Sequence, residues 1–438
     1  MMKLPKDVGF VIETIEKHGY EAVVVGGCVR DWLLGQTPSD FDVATSAKPE
    51  QIQQFFKHTI PTGIKHGTIT VLMSEPIEVT TYRVEGSYQN HRHPLEVSYV
   101  DTIEQDLSRR DFTINAMAYH PKRGLIDPFG GQKDLENKLI RCVNNPVDRF
   151  TEDALRILRA HRFAARFHFE IEENTMQAIQ QCQKYLPAIS VERIRHEVIE
   201  ILRYNPYQIE KMTQLLSPWI PELEQCKNCT QDTKYHDTDV LHHTLRALSL
   251  LKPFDETLAY SLLIHDCGKP SCKETYNGSD HFVGHPQVGQ VIAKRLCKDW
   301  KLTRYQRKWI PLFVRYHDCA IHDSIGFVHR FCVKKQWSHQ QILDLFRIKQ
   351  CDILAHSPLG KNTIHQLERL MKDYEQIRQQ RVLSIGDLPL DGNDLKQDFG
   401  LEGKEIKEML DACLEQGFTH PDMTTKADYY AWIKRRGL

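Results

Sequence analysis

Apolar residues recur at helical spacing from Val8 to His18, and Ala22-Val23-Val24-Val25 then reads as a buried strand. Gly26-Gly27 breaks that strand, and a short segment, Cys28 to Leu34, follows. Ser39 to Ala44, Thr68 to Met73, Ile77 to Tyr82 and Val97 to Val100 carry further strand patterns. From about residue 136 the pattern turns helical almost to the end, with Pro146, Pro187 and Pro206 as punctuation. The turn-rich Ser384-Ile-Gly-Asp-Leu-Pro-Leu-Asp-Gly392 sets off a final helical tail. The pattern predicts a small α+β head followed by a long all-α body.

Composition narrows this outline. With 438 residues, 41% hydrophobic and 26% charged, the chain is ordinary globular material, which excludes disorder, collagen-like repetition and a coiled coil. At roughly 100–200 residues per domain the length predicts two to four structural units. No apolar run reaches the ~18 residues that a bilayer helix needs. The start, MMKLPKDVGF, lacks the apolar stretch and cleavage site of a secretory signal, so a soluble, cytoplasmic protein without membrane partners is expected. Twelve cysteines in such a setting should be reduced thiols. Cys226-Lys-Asn-Cys229, the only CxxC, reads as two linker thiols rather than half a zinc site. A net charge of −1, from 57 Lys+Arg against 58 Asp+Glu, means that a bound nucleic acid would sit on a locally basic face.

Three constellations carry chemistry. In the first, Gly26-Gly27-Cys28-Val29-Arg30-Asp31 precedes Asp40-Phe41-Asp42. Residues i and i+2 of a strand share a face, so Asp40 and Asp42 point together while Phe41 and Val43 face the core. Paired carboxylates beside a glycine turn and an arginine suit divalent cations with a phosphate, because Mg²⁺ prefers a few hard oxygens plus phosphate oxygens. The second is Arg109-Arg110-Asp111-Phe112-Thr113-Ile114-Asn115-Ala116-Met117-Ala118, which alone reads as a helix start. The third runs from Glu152 to Arg166. At ~100° per residue, Asp153, Arg156, Arg159, Arg162 and Arg166 fall within one helical half. One acid heading four arginines resembles a polyanion track more than a mixed solvated face.

GGCVRD…DFD, RRDFTINAMA and EDALRILRAHRFAARF together resemble the head and neck motifs of the bacterial-type (class II) tRNA nucleotidyltransferase / poly(A) polymerase family. The likeness continues through Ser190-Val-Glu192-Arg193-Ile-Arg-His-Glu197 and Leu390-Asp-Gly-Asn-Asp-Leu395. It implies a mixed-sheet nucleotidyltransferase head in which Asp40 and Asp42 hold catalytic Mg²⁺, with tRNA, CTP and ATP as partner and substrates. Gly27, Arg30 and Arg110 would cradle the triphosphate. Asp153 and Arg156 would read the incoming base, and Arg159 and Arg162 would complete the contacts, with Arg166 further along the RNA side. The base reading has its own physical logic. Cytosine and adenine each place an amino donor beside a ring-nitrogen acceptor, which a carboxylate and a guanidinium complement. Uracil and guanine reverse both polarities, at roughly 1–3 kcal/mol for each group left unpaired.

The segment Gly86-Ser-Tyr-Gln-Asn-His-Arg-His-Pro94 resembles the family loop tied to switching from C to A addition, although Arg92-His93 stands where two arginines are usual. That loop argues against a CC-only enzyme; complete CCA addition is favoured over A-only addition, with no residue that separates the two. Poly(A) synthesis, and an RNA- or nucleotide-binding module whose only enzyme is a second domain, are the remaining alternatives. The intact Asp40/Asp42 pair speaks against the last.

Eight of the 22 histidines lie between 236 and 323. His-Asp dipeptides occur at 236, 265, 317 and 322, and context selects His265-Asp266, which ends the apolar run Leu258 to Ile264. With His243 upstream and Asp352 downstream, it resembles an HD-type metal-dependent phosphohydrolase domain. The resemblance implies that His243, His265, Asp266 and Asp352 converge on a divalent transition metal; His281 and His285, one turn apart if that segment is helical, would add ligands to a second. A catalytically silent helical body and a metal-binding body that only holds tRNA are the competing readings. The expected organisation is a nucleotidyltransferase head (1–135), a helical neck (136–200), a helical linker (201–235), an HD-type domain (236–360) and a tRNA-binding tail (361–438). The tail's Trp432-Ile-Lys-Arg-Arg436 offers basic groups for RNA.

Overall fold

The helix Lys6–Lys17 buries Val8, Val11, Ile12 and Ile15, the i, i+3, i+4, i+7 stripe expected of an amphipathic helix. Each such side chain contributes on the order of 1.5–3 kcal/mol when fully covered. The strand that follows, β1 (Ala22–Val25), is buried at all four positions, which explains its unbroken apolar run. It is the third strand of a seven-stranded mixed sheet among the described residues. The computed structural model describes residues 2–64, 67–85, 88–89, 93–94 and 97–436, and it divides into two compact units, Met1–Ile209 and Glu210–Leu438.

Four further strands complete most of the sheet: β2 (Asp42–Thr45), β3 (Thr59–Gly63), β4 (Thr68–Leu72) and β5 (Pro76–Thr81). The order across the sheet is Gly124–Ile126, Ala118–His120, β1, β2, β5, β4, β3. Only the β2–β5 pair is parallel, with Val43 opposite Val79; its other pairs are antiparallel. The sheet core gathers Val23, Val25, Ala44 and Tyr82 against Ile103 and Leu107 of the helix Ile103–Ser108. The α+β class with a mixed-sheet head is therefore borne out.

Several local expectations change. The second strand begins at Asp42 rather than Ser39, so Asp40 lies on the approach to it. Val43 is buried, whereas Phe41 is only half-buried. Arg109–Ala118 is not a helix start. It leaves the helix Ile103–Ser108, bridges Phe112 to Cys142, makes a single turn at Thr113–Asn115 and enters the strand Ala118–His120. Apolar residues here serve a buried turn, where Phe112, Ile114 and Met117 are all fully covered. Asp153 is not on the arginine helix either. It sits in extended conformation between the helices Pro146–Glu152 and Leu155–Phe167, and its carboxylate accepts from Leu155 N at 3.0 Å. An aspartate satisfying an otherwise orphan N–H at a helix start outcompetes helix continuation.

The second unit is helical apart from the hairpin Glu274–Tyr276/Ser279–His281 among the described residues. Its central helix Glu256–Ile264 is buried from Leu258 to Ile264. All twelve cysteines are free thiols. No helix among the described residues is long and apolar enough to cross a membrane. The segment 86–94 lies outside the described residues but for backbone pairing of Tyr88–Gln89 with His93–Pro94.

Candidate active site

Gly26 turns the chain out of β1 with φ +77°, a conformation that glycine tolerates. A Cβ at this position would come within 2.8 Å of an Arg110 terminal nitrogen, so the absent side chain lets that guanidinium lie against the turn. Beside it opens a cavity of about 510 Å³ lined by eight arginines and three aspartates. Gly27, Arg30, Arg110, Asp153, Arg156, Arg159 and Arg162 all line it, as do Asp42 and Arg166. Among the candidates in this unit only Asp40 lies elsewhere, in an adjoining cleft of about 920 Å³ that it shares with Asp42, Phe41 and Glu78.

The arginines do not form a bare track. Each of those described below has an acidic partner inside the first unit, because several guanidiniums held close together repel unless countered. Arg159 donates twice to Asp111 (2.9 and 2.6 Å), and Arg162 donates to Glu197 at 2.6 Å. Arg166 lies 3.6 Å from Asp31, and Arg30 donates to the same residue at 2.8 Å. Arg156 donates to Glu152 and to the carbonyls of Arg149 and Arg109. Arg193 reaches from the helix Val191–Tyr204 to Asp153 at 2.8 Å. Arg110 and Arg109 are steered by buried Asp106.

Electrostatics follow this pairing. Burial alone would push Asp111 up, but Arg159 and Asn115 outweigh it and hold the carboxyl at about 2. Asp42 goes the other way. Burial, Glu78 and Asp40 push its carboxyl up, with Arg110 pulling against them. Carboxylates crowded together and only partly offset by Arg110 are what a hard divalent cation relieves, so the donor set at Asp40 and Asp42 fits Mg²⁺. Glu78 was not foreseen from the sequence. Its signal was present, since Pro76–Thr81 pairs with β2 in parallel and brings an outward-facing acid beside the Asp-x-Asp. Asp111 and Arg193 likewise stood inside the family motifs without an assigned part.

The second unit holds a separate cleft of about 1340 Å³ with Asp266, Asp352, His236, His285, His317 and His356 on its walls. His243, His265, Asp266 and Asp352 do converge. His243 Nε2 lies 2.9 Å from Asp352 Oδ1 and 3.7 Å from Asp266 Oδ2, while His265 Nε2 lies 3.7 and 3.3 Å from those same atoms. Asp266 also pairs with Lys269 at 2.8 Å. Burial opposes a charged His265, yet Asp266 and Asp352 outweigh it and raise its pKa to about 10. That field favours any cation. The helical spacing expected of His281 and His285 is not found, because His281 ends the hairpin strand and His285 opens the next helix, although both line the cleft. His285 instead faces His317, Nε2 to Nε2 at 3.4 Å.

Residues 22–141 match the family model described as "Poly A polymerase head domain". Residues 168–226 match the one described as "Probable RNA and SrmB- binding site of polymerase A". Over 198 residues the chain is 50% identical to the CCA-adding enzyme of Enterococcus faecalis (strain ATCC 700802 / V583), covering 45% of this chain and 49% of that protein. Over 235 residues it is 44% identical to the CCA-adding enzyme of Pediococcus pentosaceus, covering 52% and 59%. The chain thus spans about half the length of the curated relatives it matches. The crystal structure of a Bacillus stearothermophilus CCA-adding enzyme in complex with CTP is similar over 100% of this chain and 98% of that one, with a TM-score of 0.74 at 26% identity. A Thermotoga maritima CCA-adding enzyme complexed with tRNA shares the fold over 94% and 91%, with a TM-score of 0.57 at 23% identity.

Proposed function

We propose, from the matches of residues 22–141 to a poly(A) polymerase head and of residues 168–226 to its RNA-binding region, that this chain adds C, C and A to the 3′ end of tRNA from CTP and ATP. The observation that carries this reading is the arginine-lined cavity, which joins the Gly26-Gly27 turn, Asp42 and the Asp153/Arg156 pair in one space. Curated relatives named CCA-adding enzymes support it.

In this reading the 3′-oxygen of tRNA attacks the nucleotide α-phosphorus, and pyrophosphate leaves from the opposite side. Mg²⁺ held by Asp40 and Asp42, with Glu78 alongside, would supply charge neutralisation at the phosphates and the attacking oxygen. The chain's own groups do the positioning. Gly27 lets the triphosphate approach the backbone, while Arg30 and Arg110 offset its charge. Asp153 accepts from the amino group of cytosine or adenine, and Arg156 donates to the neighbouring ring nitrogen. Arg193 fixes the Asp153 carboxylate, as Asp111 fixes Arg159 and Glu197 fixes Arg162. The proposed organisation keeps a head (1–135), neck (136–200), linker (201–235), HD-type domain (236–360) and RNA-binding tail (361–438), in the cytoplasm where tRNA is matured.

A second activity is favoured by one observation, the buried convergence of His243, His265, Asp266 and Asp352 on a cleft that also carries Lys234, Lys269, Arg315 and Lys349. These residues would hold a divalent transition metal, which supplies Lewis-acid polarisation of a phosphate ester. Lys234 and Arg315 would draw the phosphate in, whereas Lys269 is held by Asp266 and Lys349 by the carbonyls of His317 and Cys319.

The test uses three tRNA transcripts, ending at the discriminator base, at C and at CC, with CTP and ATP given separately and together. Extension of all three to CCA is the expected result. Extension of the CC-ended transcript alone would replace the proposal with an A-adding enzyme that works beside a CC-adding partner. Long tails of A on unrelated RNA would make it a poly(A) polymerase.

A further inference from the structure

Arg30 enters the arginine-lined cavity from the short helix Gly27–Leu33, whereas Arg159, Arg162 and Arg166 stand on Leu155–Phe167. It is buried, and its guanidinium is held along its edge. Nε donates to Asp31 at 2.8 Å, and Nη1 donates to Asn115 Oδ1 at 2.5 Å. Nη2 lies 2.7 Å from Asp31, and a Cβ at Gly27 would stand 3.5 Å from it. Each Nη carries two hydrogens, so each keeps one beyond these contacts. Edge contacts fix a planar fork within its plane but leave it free to tilt. Two rings oppose that tilt. The Arg30 guanidinium carbon lies over Phe167, 4.8 Å from its centroid, and over Phe163 at 5.5 Å. The rings are one helical turn apart, stacked at 6.0 Å with 7° between their planes.

Arg166 lies over the same Phe167 ring at 5.1 Å and shares Asp31 with Arg30. Its contact comes with adjacency in sequence, but Arg30 arrives from another element, so its seat on the rings is made by the fold. Burial lowers the pKa of Arg30, Asp31 opposes this, and the nearby Arg166 charge lowers it again. One carboxylate between two guanidiniums leaves repulsion uncompensated. A further carboxylate would offset it but would also occupy the N–H edge that a phosphate needs. The π-face of a ring attracts the cation and leaves that edge open.

We infer that Phe167, backed by Phe163, is a positioning residue for the nucleotide triphosphate: its π-face holds Arg30 so that the remaining N–H groups meet phosphate oxygens beside Gly27. This deepens the nucleotide-binding reading of the same cavity and rests on it for the part given to Arg30. A ring that merely covered apolar surface could be exchanged for any side chain of its size, whereas a π-face could not. The base is read at Asp153 and Arg156 in the same reading, so loss of the ring should weaken triphosphate binding and leave base choice alone.

The experiment uses the full-length chain and measures binding of inorganic tripolyphosphate by calorimetry, beside CTP and ATP addition to tRNA. Arg30→Ala marks the binding that belongs to this cavity. Three changes at one position are then compared: Phe167→Leu, Phe167→Tyr and Phe167→pentafluorophenylalanine, the last keeping the shape of the ring while reversing the charge of its face. The leucine and fluorinated chains should each bind tripolyphosphate about 5- to 30-fold more weakly. Their KM for CTP and for ATP should rise by the same factor, with kcat within about twofold of the parent and the preference over UTP and GTP unchanged. Phe167→Tyr should match the parent within about twofold in every readout. A fluorinated chain that binds tripolyphosphate as the parent does overturns the inference, and so does equal loss in the leucine and tyrosine variants, which would make shape the cause. Parent binding that Arg30→Ala leaves unchanged, or no binding at all, overturns it too. The expected losses of tripolyphosphate binding in a chain that adds no nucleotide would uphold the inference and defeat the CCA-adding reading alone.

Discussion

Two cavities of this molecule, the arginine-lined one and the histidine-lined one, crowd cationic side chains against carboxylates, but with opposite consequences. In the first unit the cations are guanidiniums, charged at any accessible pH, so each must find an acid: Arg159 with Asp111, Arg162 with Glu197, Arg156 with Glu152, Arg193 with Asp153. The result is a cavity whose polar groups hold one another in place, and such pre-placed dipoles and charges are what the proposed nucleotidyl transfer would need. In the second unit the partners are imidazoles, whose charge is optional. There, the Nε2 atoms of His285 and His317 face each other at 3.4 Å, and Asp266 Oδ1 has no hydrogen-bond donor. A site left electrically incomplete by its own side chains is suited to a metal, whereas one completed by arginine is suited to a polyanion.

The largest expected effect separates the two cavities outright. His265→Ala should abolish cobalt retention at the His243/His265 centre and leave nucleotide addition within about twofold, as read by cobalt content and primer extension on one preparation. Coupled loss of both would show that the two sites are not independent. Next is base choice. Asp153→Ala removes the acceptor for the amino group, so discrimination of CTP and ATP against UTP and GTP should fall by roughly 10–100-fold, the equivalent of about 1–3 kcal/mol. Unchanged ratios would move base reading elsewhere in the cavity.

A smaller effect concerns stability. Asp111 holds its carboxyl at about 2 against an ordinary 3.8, so the folded state prefers the ionised form. By linkage this adds on the order of 2 kcal/mol that is fully present above about pH 4 and is lost as pH falls towards 2. Asp111→Asn should lose about that much at pH 7 in denaturant unfolding. Its stability should also decline less than the parent's between pH 4 and 2. Parallel pH profiles would contradict the pairing with Arg159 as the cause. The smallest effect is at Arg166, partly exposed and 3.6 Å from Asp31. Arg166→Ala should weaken tRNA binding only a few-fold, about 1 kcal/mol, and should reduce its salt dependence.

Local pattern made some of this legible and long-range pairing hid the rest. The run Ala22–Val25 is a strand at the residues its composition indicates, because a strand buried on both faces shows as unbroken apolar sequence. The Asp-x-Asp was equally visible. Helical spacing misplaced Asp153, since periodicity carries no sign that a side chain will cap Leu155 instead of extending the helix. The acids that complete the arginines lie up to 135 positions away, as with Asp31 and Arg166, and no window of sequence displays such pairs. His317 was set aside among four His-Asp dipeptides, yet it had the same local signature as His265. Each is the residue that closes a helix rich in apolar positions, Glu256–Ile264 and Arg304–Tyr316, and donates back to a carbonyl three residues earlier.

The central claim is that the arginine-lined cavity, with the Asp40/Asp42 carboxylates at its edge, joins nucleotides to RNA rather than only binding them. The most direct test measures tRNA affinity and nucleotide incorporation side by side for the parent and Asp40→Ala, at one salt concentration with Mg²⁺ present. The expected result is tRNA binding within about threefold of the parent and incorporation reduced by roughly three orders of magnitude or more, about the share of transition-state charge stabilisation that a lost metal ligand removes. Incorporation at the parent's rate would contradict the claim and leave the first unit as a binding module.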